Sequence, residues 1–162
     1  RPLGGGGGQE GGRRPATTTT PGAWAFAQAA DRTASAMPGA EERSRRLEQA
    51  LIDGIRRIPG ATPLPVGRLP GDARYSPYIV SAAFPGLGGE TLFRLLDEAG
   101  VAVSMGSACS GHRKERRVLD AMGVDRDLSF SSIRVSTGRD TTPADIEEFL
   151  NRAADAYARY KV

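Results

Sequence analysis

The chain has 162 residues, 39% of them hydrophobic and 25% charged, and a formal net charge of +3. That length suits one compact domain with part of another, and it is enough chain to bury a real core. No run of about 18 apolar residues is available for a membrane span, and one cysteine cannot form an intrachain disulfide, so a reducing cytoplasm is the expected setting.

The opening, Arg1 to Thr20, has glycine runs, four consecutive threonines and no hydrophobic period, which predicts an irregular loop. It lacks an apolar stretch like that of a signal peptide and begins without methionine, so the chain reads as a piece of something longer. Thr20-Pro21 predicts a helix start, a hydroxyl cap with proline in the first turn. The alanine-rich stretch with Trp24 and Phe26 carries that helix to about Met37, where Pro38-Gly39 ends it. From Glu41 to Ile58, Leu47, Leu51, Ile55 and Ile58 recur at helical spacing opposite a charged face, and Pro59-Gly60 stops the run. The proline- and glycine-rich stretch from Ala61 to Pro77 has room for one short edge strand and nothing longer.

Alternating signals follow. "YIVSAAF" (Tyr78 to Phe84) has the length and continuous apolar character of a strand, "GETLFRLLDEAG" (Gly89 to Gly100) reads as a short helix with a glycine stop, and "VAVSM" (Val101 to Met105) as a second strand. "ERRVLDAMG" predicts a helix, "SIRVST" a third strand, and "TTPADIEEFLNRAADAYARY" a long final helix capped by Thr142 before Pro143. Strand, helix, strand, helix, strand, helix implies a small sheet covered by helices, an α/β or α+β layer.

Three kinds of chemistry can be weighed on the residues alone. "GGGQEG", Gly6 to Gly11, satisfies G-x-G-x-x-G but lacks the preceding strand and the helix opening through it, so a self-contained dinucleotide site is not expected. One cysteine and one histidine supply at most two soft ligands where a structural zinc takes four. Cys109 is the residue with reactive potential. "GSACSG" surrounds it with small side chains, and His112, Arg113, Lys114, Arg116 and Arg117 bring positive potential that favours a thiolate. A cysteine packed at the end of strand Val101 to Met105 is the competing reading, and His112 is the sole histidine that could act as its base. The paired arginines elsewhere are interleaved with acidic residues and read as solvated helix faces, so direct nucleic-acid binding is not expected.

Three strings taken in order carry a resemblance. "GGGQEGGRRPATTTTPG" resembles the G-G-G-Q-E-x-G-x-R-x-G-T-x-x-x-P-G segment of the cysteine desulfurases, pyridoxal-phosphate enzymes related to class V aminotransferases. "GSACS" is similar to the nucleophile loop of that family, and "SSIRVSTGRDTT" to its S-I-R-x-S-x-G-R-x-T strand. The resemblance implies that Cys109 takes sulfur from the substrate as a persulfide and that Arg134 holds the substrate α-carboxylate, a planar paired contact suited to guanidinium. It implies that Thr17 reaches the cofactor phosphate of the other subunit in a homodimer, with Arg14 in the same cofactor-binding loop. The implied reaction converts L-cysteine to L-alanine and passes sulfur to an acceptor protein, for iron–sulfur cluster assembly or nucleic-acid thiolation.

Under the resemblance the fold is the C-terminal small domain of a fold-type-I pyridoxal-phosphate enzyme. Residues 1–40 are a remnant of the large cofactor-binding domain, and residues 41–162 are the connecting helix and small domain. Two departures stand out: Pro15-Ala16 replaces the family's Ser-Gly, which puts the turn delivering Thr17 in question, and Glu115-Arg116-Arg117 replaces Glu-Pro-Ser after the nucleophile. The Schiff-base lysine that holds pyridoxal 5'-phosphate is expected on a missing N-terminal segment or subunit, because neither Lys114 nor Lys161 fits that role. A selenocysteine lyase, another class V aminotransferase and a non-catalytic binding fragment are the alternatives.

Overall fold

Ala-rich sequence follows Pro21-Gly22 with no further glycine or proline before Pro38. In the computed structural model, which describes residues 5–105 and 117–162, this stretch forms α1, Thr20–Ala36. Its N-cap is Thr19, one residue before the expected cap, and the Thr19 hydroxyl accepts from Arg14 in place of a helix N–H. None of its side chains is buried. Ahead of it lies a short turn, Gln9–Gly12, in which Glu10 and Gly11 take left-handed backbone angles. These residues belong to one compact unit, Arg1–Gly39, and the remainder to a second, Ala40–Val162.

The second unit starts with α2, Ala40–Arg57, whose buried stripe includes Leu47, Leu51, Ile52 and Ile55. Strand β1, Thr62–Leu64, is the short edge strand anticipated in the proline-rich stretch. Pro63 is tolerable there because an edge position leaves its missing N–H unneeded. Then come β2, Ile79–Ala83, and α3, Gly89–Glu98. The short helices α4, Arg117–Ala121, and α5, Arg126–Phe130, precede β3, Ser132–Ser136. The long α6, Pro143–Tyr160, ends the unit, and its Thr142–Asp145 capping box is formed. The sheet order is β1-β2-β3 with both pairings antiparallel, so the layer is of the α+β type.

Side chains alternate across a strand. Val80 and Ala82 of β2, with Ile133 and Val135 of β3, therefore join Leu51, Ile55, Leu92, Leu96, Phe149 and Tyr157 in one apolar core. At Gly54, a Cβ would overlap the Leu150 side chain, so the lack of one lets α2 and α6 approach closely. The Tyr157 ring meets Phe84 edge-on with centroids 5.4 Å apart, and its hydroxyl donates to the Pro85 carbonyl at 2.7 Å.

Two elements differ from the sequence reading. The expected strand over Val101–Met105 is reduced to one bridge, Ser104 to Arg134. The cause lies in α3: Gly100 N–H donates to Asp97 and Val101 N–H to Leu96, the paired bonds of a Schellman stop, so pairing begins only after that cap. Helix α5 was not anticipated; the Asp125 carboxylate caps it by accepting from the Asp127 N–H at 2.9 Å.

The connection from β1 to β2 has little regular structure yet a definite anchor. Arg68 and Glu48 are both buried, and Arg68 Nη2 stands 2.6 Å from Glu48 Oε1. The same guanidinium donates to the carbonyls of Ile79 at 2.9 Å and Ser76 at 3.1 Å. Glu48 is completed by Arg45 at 3.2 Å and by the Gly71 N–H at 3.3 Å.

Candidate active site

The period of two that sends Val80, Ile133 and Val135 into the core sends their neighbours to the opposite face of the sheet. Arg134 lies there, directly across from Ser81, while Ser136 lies across from Ile79 and Ser132 from Ala83. The Arg134 N–H donates to the Ser104 carbonyl at 2.6 Å, and the Ser104 N–H returns a bond to the Arg134 carbonyl at 3.0 Å. Because both backbone groups of Arg134 turn toward Ser104, its pairing with Ser81 is the close, non-hydrogen-bonded kind. Arg134 is half-buried on a face it shares with Ser81, Ser132 and Ser136 and with Ile79 and Ala83. Among the described residues, no ion pair or hydrogen bond occupies its guanidinium.

An Arg134 in a structural salt bridge would have argued against a binding role. Instead a cation sits partly desolvated without a protein anion among the described residues, which suits a ligand carboxylate. Cys109, His112 and Lys114 lie outside the described residues. Covalent connectivity still limits the thiol: Cys109 is five residues beyond Ser104, and an extended chain covers at most about 18 Å over that span. Sequence reasoning named Arg134 but missed Ser81 and Ser104, because strand register is a long-range property with no local signal.

In the first unit, the Arg14 guanidinium turns back onto its own loop. Nη1 donates to the carbonyls of Ala16 at 3.1 Å and Thr17 at 2.9 Å, and Nη2 to Thr19 Oγ1 at 3.4 Å. Thr18 Oγ1 donates to Glu10 Oε1 at 3.2 Å. Two of the four threonine hydroxyls are thereby engaged, whereas that of Thr17 is exposed and makes no hydrogen bond among the described residues. Ala16 has φ 74, the left-handed conformation, which costs a residue with a Cβ about 1–2 kcal/mol.

A phosphate ester matches an exposed hydroxyl at the entry to a helix, where unpaired N–H groups favour an anion. Each unit thus offers one group with the chemistry to bind an anion, the Thr17 hydroxyl in the first and the Arg134 guanidinium in the second. The amine is a different matter. Lys161 Nζ lies 5.3 Å from the centroid of the Tyr157 ring, and its backbone N–H is bound to the Tyr157 carbonyl, so it extends the last helix at the core's edge. Among the described residues, no group of three His, Cys, Asp or Glu side chains is arranged to hold a metal ion.

A family model for aminotransferase class V matches residues 9–149. The chain belongs to this family. An IscS-like cysteine desulfurase of Mycobacterium tuberculosis is 35% identical over 135 residues, covering 76% of this chain and 32% of the relative. A cysteine desulfurase of Enterobacter agglomerans is 34% identical over 142 residues, covering 86% and 33%. A solved NifS-like protein superposes on 98% of this chain and 39% of its own, with TM-score 0.77 and 32% identity. The family member described here spans about a third of the length of those curated relatives. Among its described residues, no helix is long and apolar enough to cross a membrane.

Proposed function

We propose that this chain is the C-terminal portion of a cysteine desulfurase, active when completed by the segment that supplies the lysine for pyridoxal 5'-phosphate. The carrying observation is Arg134, a half-buried guanidinium without a protein anion among the described residues, whose strand is bonded at that same residue to the segment leading into Cys109. When bound, the cofactor withdraws electrons from the substrate's α-carbon. Arg134 holds the α-carboxylate of L-cysteine and so orients the substrate thiol. Cys109, favoured as thiolate by the cationic residues after it, attacks the substrate sulfur; the persulfide S–S bond forms as the substrate Cβ–S bond breaks, and Cβ takes up a proton as L-alanine leaves. Thr17 contacts the cofactor phosphate of the other subunit of a homodimer.

In this reading residues 1–40 complete the cofactor domain and residues 41–162 form the small domain bearing the nucleophile. The persulfide passes to an acceptor protein, for iron–sulfur cluster assembly or nucleic-acid thiolation. A reducing compartment, the cytoplasm, keeps the lone thiol usable. The test measures L-alanine released from L-cysteine by the full-length protein containing these residues. Cys109→Ser abolishes release while cofactor binding persists, and Arg134→Ala raises KM for cysteine at least tenfold; full turnover by Cys109→Ser refutes the proposal.

A further inference from the structure

Among the described residues, Arg14 makes three side-chain hydrogen bonds within the irregular turn before α1. Its two bonds to the Ala16 and Thr17 carbonyls hold the peptide groups on either side of Thr17, just after the left-handed Ala16, and its third reaches Thr19 at the helix entry. Alanine does not hold φ 74 by preference; glycine populates that region about as readily as its mirror image. At this position the desulfurase motif has glycine, and this chain has Ala16 with Pro15 before it. Pro15 is itself fitted against Gly6, where an added Cβ would collide with the proline ring.

We infer that Arg14 is a positioning residue that locks Ala16 in its left-handed turn and so presents the Thr17 hydroxyl, while Glu10 and Arg14 retire Thr18 and Thr19. This replaces the direct cofactor contact that the resemblance implies for Arg14, and it rests on the reading of Thr17 as a phosphate contact. The clamp compensates for a missing glycine. Remove the clamp, and alanine returns to right-handed or extended backbone, turning the following hydroxyl away; put glycine at position 16, and the clamp is no longer required.

The experiment uses the full-length protein with Arg14→Ala, Ala16→Gly, the double variant and Thr17→Ala. Two readouts are taken without turnover: amide hydrogen exchange over residues 14–19 in the cofactor-free protein, and equilibrium binding of pyridoxal 5'-phosphate against pyridoxal. Arg14→Ala is expected to speed exchange and to weaken pyridoxal 5'-phosphate about tenfold, roughly the worth of one charge-assisted hydrogen bond and of the left-handed alanine that the clamp holds, with pyridoxal binding unchanged. Ala16→Gly alone leaves both readouts near the parent, and the double variant recovers most of the lost affinity. A double variant as weak as Arg14→Ala overturns the clamp, since an arginine that touches the phosphate is not replaced by a glycine two residues away. Unchanged phosphate affinity in Thr17→Ala overturns the reading of Thr17, whereas the exchange data still decide whether Arg14 holds Ala16.

Discussion

Replacing Arg68 by alanine is expected to destabilise the second unit more than any surface substitution, because it strands a buried anion. Glu48 is fully buried and keeps only Arg45 and the Gly71 N–H once the 2.6 Å contact is gone. The carbonyls of Ser76 and Ile79 lose a donor as well. Removing one member of a buried pair costs about 3–5 kcal/mol, a large part of the roughly 5–15 kcal/mol that holds a domain of this kind together. Urea unfolding followed by circular dichroism measures the loss. Arg68→Lys recovers little, since an ammonium cannot reach three acceptors as the planar fork does. The double variant Glu48→Leu with Arg68→Met is expected to fall closer to the parent than either single change, because no charge is left uncompensated. A cost under about 1 kcal/mol for Arg68→Ala, the level of an exposed pair, refutes the claim that this pair anchors the segment leading into β2.

Two titrations are expected to show in stability. The Asp145 carboxyl is held below its usual pKa by the Thr142 N–H and then by the Thr142 hydroxyl; its contribution is therefore present above the ordinary carboxylate pKa and lost as pH falls through the folded value. Asp145→Asn should flatten the acid limb of a plot of melting temperature against pH, and an unchanged limb sinks the assignment. Burial pushes the Tyr157 hydroxyl above its usual value, so its contribution is complete below about pH 10 and is lost as pH rises through the folded pKa. Tyr157→Phe, which also orphans the Pro85 carbonyl, is expected to cost about 1 kcal/mol near neutrality and to lose that alkaline dependence in urea titrations.

Local signals carried most of the elements. Proline at the first turn of α6, the threonine before it and the apolar stripe through Tyr157 act within a few residues, and the helix forms as they dictate. The 101–105 stretch looked like a strand by the same reasoning, yet the stop at Gly100 had already committed the Val101 N–H to α3. The Arg68–Glu48 pair was invisible for a different reason: its partners are twenty residues apart, and each alone reads as a solvated charge. Arg134 was legible through the resemblance, but its surroundings depended on the register between β2 and β3. The Ala16 turn was flagged only as a departure; that Arg14 closes over it required coordinates.

What joins these parts is the position of the Ser104 bridge. A strand that continued through Met105 would have paired along more of the edge of β3. Pairing at Ser104 alone instead fixes one point, at Arg134 itself. A persulfide carrier has two tasks with different geometric demands: it must meet a substrate held at a defined place, then reach an acceptor outside. Under the proposed function, the attachment at Arg134 registers this chain to the substrate carboxylate, and the five residues from Ser104 to Cys109 bound the distance between them at about 18 Å. The residue directly across the ladder from Arg134 is Ser81, a short hydroxyl side chain at the point where the proposed substrate carboxylate would be held.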